Sequence, residues 1–275
     1  MEGVTQGLPV TILAPGIAAE VALKDMPRAQ CDALRQNVKT LFDGLAIDIN
    51  MIEETGREKK LLIADMDSTM IEQECIDELA RKAGIYDQIC TITERAMNGE
   101  LDFESALTER VSMLKGLSEN IIEETYQNNI TFTSGASILI QTMKKRGGFC
   151  ALVSGGFTQF TTRVANDLGF DHNEANHLEI SNGKITGEVG HPILGREAKA
   201  HSLMRLSAEQ GISLNETIAV GDGANDLDML GKAGIGVALH AKPAVAKAAH
   251  TKINFGDLTA LLYLQGISQQ DQIIS

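Results

Sequence analysis

Two aspartates stand two positions apart in Asp65-Met66-Asp67-Ser68-Thr69, directly after the apolar run Leu61-Leu62-Ile63-Ala64. Carboxylates this close resist joint ionisation unless a cation or a proton relieves them. One member of such a pair can act as a nucleophile beside Mg²⁺, while the other exchanges a proton with a leaving group and later with water. The same residues also suit a plain Asx-type turn. A cation site lies far along the chain, in Gly221-Asp222-Gly223-Ala224-Asn225-Asp226. Hard carboxylate oxygens suit Mg²⁺, which takes one or two of them together with waters and phosphate oxygens. Asp222 is the expected direct ligand, and Asp226 is expected to ligate or to orient a water. Read alone, the string also fits a capped glycine-rich turn, and it lacks the third glycine of a dinucleotide fingerprint.

Two further pieces could handle a phosphoryl group. Ser154-Gly155-Gly156 follows the apolar run Cys150-Ala151-Leu152-Val153 and precedes a helical pattern. A hydroxyl and exposed backbone N–H groups at a helix N-terminus bind phosphate oxygens, and glycine lets the backbone come close. Lys199 opens another helix after Gly195-Arg196-Glu197-Ala198, where an ammonium can offset the charge of a nucleophile and a transferring phosphoryl group. Singly, the first is a common strand-to-helix turn and the second a solvated lysine. In one order on one sheet, the four pieces describe a site for phosphoryl transfer.

The elements that must position these residues are legible in the same stretches. Apolar runs at residues 61–64, 150–153, 217–221 and 234–238 read as buried parallel strands, three of which end abruptly on Asp65, Ser154 and Asp222. Helical patterns at 136–146, 157–168, 199–210 and 226–233 separate them. The expected fold is an α/β Rossmannoid parallel sheet with helices on both faces, which binds ligands beyond the carboxyl ends of its strands. Residues 74–132 carry helical patterns and no convincing strand, and read as a small helical cap inserted after the first core strand. The alternating runs within 178–189 flank Asn182-Gly183, a hairpin signal that reads as decoration on the core. Near the start, an apolar stretch at 9–14, an amphipathic pattern at 28–45 and an alternating run at 46–52 predict a short β-α-β module without assigned chemistry. The expected division is 1–58 for that module, 59–73 with 133–275 for the core, and 74–132 for the cap.

At 275 residues and 43% apolar content the chain can bury a core without disulfides. It contains no run near the ~20 apolar residues of a membrane span. Its first residues lack the pattern of a secretory signal, and Cys31, Cys75, Cys90 and Cys150 show no paired or finger spacing. A cytoplasmic protein without a membrane partner is expected. A net charge of -13 argues against nucleic acid as a partner. The six histidines form no ligand spacing, so zinc chemistry is not expected.

Together, Asp65-Met66-Asp67-Ser68-Thr69, Val153-Ser154-Gly155-Gly156-Phe157, Lys199 and Val220-Gly221-Asp222-Gly223-Ala224-Asn225-Asp226 resemble the phosphatases of the haloacid dehalogenase superfamily, and within them the phosphoserine phosphatase family. The resemblance extends over roughly residues 59–265. Met66 departs from the phenylalanine common there and touches no chemical role. The resemblance implies that Asp65 attacks phosphorus, that Asp67 protonates the leaving oxygen and then activates water, and that Mg²⁺ is held by Asp65, the Asp67 carbonyl and Asp222 with Asp226 nearby. It implies that Ser154, Gly155, Gly156 and Lys199 hold phosphoryl oxygens, with Asn225 at the rim. In the cap, Glu74 matches the position that pairs with a substrate ammonium, and Arg110 the one that clamps an α-carboxylate. Met97 and Phe103 match those that shield the pocket. The substrate so implied is the small molecule O-phospho-L-serine. Another small phosphoester, a phosphotransferase reaction and a non-catalytic phospho-acceptor sensor stand as alternatives, and a homodimer is left open.

Overall fold

The computed structural model describes residues 8–24, 26–97 and 100–274, with the side chains of Arg28 and Met97 outside that description. The chain begins with an antiparallel hairpin, β1 (Val10–Ala14) and β2 (Ala18–Val21), and helix α1 (Arg28–Leu41). It then enters β3 (Leu61–Ala64), whose four residues are all buried. Four helices follow, α2 (Cys75–Ala83), α3 (Tyr86–Met97), α4 (Phe103–Ser112) and α5 (Asn120–Asn129). The alternation of helix and strand resumes with α6 (Ala136–Lys145), β4 (Phe149–Phe157), α7 (Thr158–Leu168) and β5 (His172–Asn176). A second hairpin, β6 (Leu178–Ser181) and β7 (Lys184–Val189), precedes α8 (Arg196–Glu209) and β8 (Thr217–Gly221). The remainder is α9 (Leu227–Lys232), β9 (Ile235–Leu239), α10 (Pro243–Ala248), β10 (Thr251–Ile253) and α11 (Ala260–Leu264).

Six strands make one parallel sheet in the order β10-β9-β8-β3-β4-β5. Alternate side chains enter two separate apolar layers. Leu62, Ala64, Ile218 and Val220 meet Leu139 and Ile140 of α6, Phe160 and Val164 of α7, and Leu261 and Leu262 of α11. Leu61, Ile63, Ala151 and Ala219 meet Leu203 and Leu206 of α8, Met229 of α9 and Val245 of α10. A strand covered on both faces needs an unbroken apolar run, which is why the run at 61–64 was readable. β3 lies at the centre, between β4 and β8, so the strands continue outward from it in both directions and a crevice opens at their carboxyl ends.

The segment holding α2 to α5 leaves and rejoins the core at one place. Ile71 and Phe132 form an antiparallel bridge, Glu72 N–H donates to the Thr131 carbonyl at 3.0 Å, and Thr133 N–H donates to that of Met70 at 3.0 Å. The hairpin β6–β7 turns as expected, with Asn182 and Gly183 both left-handed at φ 51° and 73°, the geometry that an Asn-Gly turn favours. Its role differs from decoration of the core. Gly116 N–H donates to the Ile185 carbonyl at 2.8 Å and Ile185 N–H to that of Leu117 at 2.9 Å, so the hairpin braces the link between α4 and α5. Alternation in sequence marks a face that will be buried, not the element that will bury it.

The N-terminal segment departs from the expected β-α-β unit. Two strands precede the helix, and residues 46–52 form no strand. Their polar side chains instead cover the outer edge of β10. Asn50 donates through Nδ2 to the Lys252 carbonyl at 2.9 Å and accepts the Lys252 N–H through Oδ1 at 2.9 Å, so one amide side chain pairs as a strand residue would. Asp48 accepts the N–H groups of Asn254 and Phe255, each at 2.9 Å. An uncovered sheet edge invites pairing with other chains. Among the described residues, no helix is long and apolar enough to cross a membrane. Asn50→Ala is expected to lower the unfolding free energy by about 1–2 kcal/mol, read as an earlier urea midpoint with an unchanged far-UV spectrum; an unmoved midpoint would show that this edge needs no cover.

Candidate active site

Asp65 continues β3 by one residue, its N–H donating to the Val220 carbonyl of β8 at 3.0 Å. Its carboxylate is thereby aimed into the crevice, where Oδ1 accepts the Met66 N–H at 2.8 Å. Lys199, in the first turn of α8, is 0% exposed. Its Nζ lies 2.7 Å from Asp65 Oδ1 and 2.7 Å from Asp226 Oδ1. Asp226 also accepts the Gly223 N–H through Oδ2 at 3.0 Å, which folds the turn after β8 back on itself. Glycine is required at 221, since a Cβ there would stand 2.3 Å from Asp226 Cγ. Asp222 is buried beside them, receiving the Thr69 hydroxyl at 3.4 Å, with Lys242 Nζ 3.6 Å from its other oxygen.

The carboxylates of Asp65, Asp222 and Asp226 each bring an oxygen within 4.8 Å of the others. When all three are ionised, these buried carboxylates outnumber by two the one buried ammonium among the described residues, Lys199, with the half-exposed Lys242 at their margin. Burial, then the Asp226 charge, holds the Asp65 carboxyl well above the usual carboxylate range, against the pull of Lys199. Burial likewise lifts Asp222 to about 6, opposed by Lys242 and helped by Glu74 and Asp226. Burial would weaken the Lys199 ammonium, but Asp226 and Asp65 outweigh it and keep the group firmly protonated. A cluster of hard oxygen donors with two uncompensated charges fits a divalent cation of the Mg²⁺ type.

Asp67 stands apart from that cluster. Its Oδ1 accepts the Cys75 N–H at 3.4 Å, and burial followed by the nearby Glu74 charge pushes its carboxyl up to about 7. Gly156 comes against its other side, where a Cβ would stand 2.9 Å from Asp67 Oδ2. Ser154 is buried, and its Oγ accepts the Gly156 N–H at 2.9 Å. The expected end of this strand at Val153 is corrected: β4 runs to Phe157, pairing Val153 with Glu174 and Phe157 with Asn176. Four steps on β4 thus match two on β5, a bulge that turns Ser154 to Gly156 into the crevice, as bulges beside sites do. Asn225 is half-buried, with Oδ1 2.3 Å from where a Gly223 Cβ would be.

The inserted helices lie over this floor. Phe103 begins α4, whose first turn is capped by Asp102 accepting the Ser105 N–H at 2.9 Å. Its ring covers two glycines, standing 3.0 Å from the Cβ position of Gly155 and 3.4 Å from that of Gly195. Arg110, further along α4, is weakened by burial and supported by the charges of Glu74, Asp77 and Asp67. Its Nε donates to the Ala106 carbonyl at 3.2 Å, and among the described residues no carboxylate lies within salt-bridge distance of its guanidinium. Glu74 precedes α2 and accepts the Ser68 hydroxyl at 2.8 Å. Met97 ends α3, and its side chain lies outside the described residues.

Sequence reasoning missed several contributors. Asn176 is 2% exposed; its Nδ2 donates to the carbonyls of Gly155 at 2.9 Å and Leu194 at 3.2 Å, while Oδ1 accepts the Leu194 N–H at 2.6 Å. It ties the bulge of β4 to the loop that leads into α8, and so Ser154 to Lys199. Nothing around Asn176 in the sequence signals this. Thr69 and Lys242 at Asp222 were missed for the same reason, although Thr69 lies within the Asp65 string.

The haloacid dehalogenase-like hydrolase family matches residues 62–231. The chain is 41% identical over 94% of its length to the phosphoserine phosphatase of Streptomyces coelicolor, of which it spans 62%. It is 46% identical over 82% of its length to a probable phosphoserine phosphatase of Schizosaccharomyces pombe, spanning 77% of that protein. A solved phospho-aspartyl intermediate analogue of a phosphoserine phosphatase superposes with a TM-score of 0.70 at 42% identity, covering 75% of this chain and 98% of the other. With its aspartate cluster and its buried lysine falling within the matched span, the chain belongs to the haloacid dehalogenase-like hydrolase family, and its similarity there is to the phosphoserine phosphatases.

Proposed function

We propose that this protein hydrolyses O-phospho-L-serine to L-serine and inorganic phosphate, with Mg²⁺, through a phosphoryl group carried on Asp65. The observation that carries this reading is the buried ammonium of Lys199 held 2.7 Å from both Asp65 and Asp226, beside carboxylates left with two unbalanced charges. Asp65, Asp222 and the Asp67 carbonyl, with Asp226 behind them, are the groups to hold Mg²⁺, which when bound supplies positive charge to the phosphoryl oxygens and the nucleophile. Asp65 attacks phosphorus in line, forming its O–P bond as the bond to the seryl oxygen breaks. Asp67, whose carboxyl is lifted to about 7, gives its proton to the departing seryl oxygen. It then takes a proton from the water that displaces phosphate from Asp65, and both aspartates return to their starting states.

Ser154, the N–H groups of Gly155 and Gly156, and Lys199 are assigned to the phosphoryl oxygens, with Asn225 at the rim. The guanidinium of Arg110, with no carboxylate partner among the described residues, suits the substrate α-carboxylate, and Glu74 suits its ammonium. Residues 74–132 act as a cap in this reading, Phe103 and Met97 closing the pocket against water. Residues 1–58 are a separate module that protects the sheet edge.

Asp65→Asn is expected to reduce phosphate release by at least about a thousandfold with an unchanged thermal melt, and a variant that keeps turning over would end the nucleophile assignment. Chelation by EDTA is expected to abolish activity and lower the melting temperature, both recovered by added Mg²⁺; a chelated protein at full activity would refute the metal assignment. Arg110→Ala is expected to raise KM for phosphoserine about 10- to 100-fold, with a much smaller change for phosphoethanolamine, which lacks the carboxylate. Equal losses on the two substrates would argue that Arg110 is no clamp.

A further inference from the structure

Ser68 has a left-handed backbone, φ 54°, as do only Asn182 and His240 among the described non-glycine residues. Asparagine tolerates that region and Asn182 sits in a hairpin turn that demands it, whereas serine at such a position carries strain that glycine would remove. Glycine at 68 would also keep the one backbone bond made there, the Ser68 N–H to the Gln73 carbonyl at 3.2 Å. What glycine could not supply is the hydroxyl, which donates to Glu74 Oε1 at 2.8 Å.

Glu74 itself is free of local duties. It occupies the residue before α2, yet its side chain makes no capping bond to that helix. Among the described residues the one hydrogen-bond partner of its carboxylate is the Ser68 hydroxyl, on the residue next to Asp67. A long flexible carboxylate ordered by a hydroxyl on one oxygen keeps the other available in a fixed direction, and the entropy of that ordering is spent before any ligand arrives.

We propose that Ser68 is a positioning residue for amino-acid recognition: its strained turn exists to hold Glu74 in the orientation that receives the substrate ammonium. This rests on the reading of Glu74 as the ammonium partner. It assigns to Ser68 a part in choosing the substrate and none in the phosphoryl chemistry of Asp65 and Asp67.

The test compares phosphoserine with 3-phosphonooxypropionate, the same molecule without its ammonium. Ser68→Ala and Ser68→Gly are each expected to lower the ratio of kcat/KM for the first over the second about fivefold to tenfold, through KM and with kcat changed less than about twofold. Ser68→Gly, relieved of strain, is expected to melt no lower than the parent protein, which separates the effect from misfolding. In a Glu74→Gln background, Ser68→Ala is expected to leave the remaining ratio unmoved, since the coupled partner is gone. Equal losses on both substrates, or the same ratio change with and without Glu74, would overturn the role of Ser68 while leaving Glu74 in place. A parent enzyme with no preference for phosphoserine over the deamino compound would overturn the Glu74 reading and this inference with it.

Discussion

The site depends on one buried ion cluster: the Lys199 ammonium between Asp65 and Asp226, with Asp222 alongside. Taking such charges out of water is costly unless each finds partners at short range. The participants come from the end of β3, the start of α8 and the turn after β8, so the cluster can exist only if the sheet places β3 and β8 side by side and packs α8 over them. Small residues serve the same end. Gly221 makes room for Asp226, and Gly156 lets the bulged strand come against Asp67. The lone lysine does not neutralise its surroundings, and the two charges left over are what adapt a packed interior to a divalent cation.

The crevice is built by two layers. The sheet and its turns set the floor, where Asn176 joins the β4 bulge to the α8 approach through three hydrogen bonds. The inserted helices set the roof, where Phe103 lies over Gly155 and Gly195. The hairpin β6–β7 links the two, because it follows β5 directly in sequence yet bonds to the loop between α4 and α5. The antiparallel bridge between Ile71 and Phe132 makes a second connection, and the Tyr126 hydroxyl of α5 donates to Asp167 of α7 at 2.7 Å. The roof is therefore tied to the floor at several places. The N-terminal module has no part in this arrangement; through Asp48 and Asn50 it closes an edge that the core leaves bare.

Much of this was legible beforehand. The strands at residues 61–64, 217–221 and 235–239 were visible because a parallel strand buried on both faces must be apolar throughout, and the Asn182-Gly183 turn because few dipeptides accept two left-handed residues. The edge strands β5 and β10 were not visible, since His172, Asn173, Glu174 and Lys252 carry polar groups that only an edge position tolerates. The strand expected at 46–52 failed because alternation is equally produced by side chains that bond sideways to another edge. The early end assigned to β4 failed because a bulge leaves no mark in composition.

By itself, then, the sequence determined the charged groups that meet in the crevice and the ends of the strands that present them, since both depend on residue type and near neighbours. It also pointed to a cation, because carboxylates brought into one crevice need a cation or a proton to relieve them. Only the tertiary structure decided which charges meet at 2.7 Å, that Asn176 holds the β4 bulge to the approach of α8, that Ser68 bonds to Glu74, and that the second hairpin braces the roof. Those contacts join segments whose spacing along the chain says nothing of their distance in space, and they are set by how the layers pack.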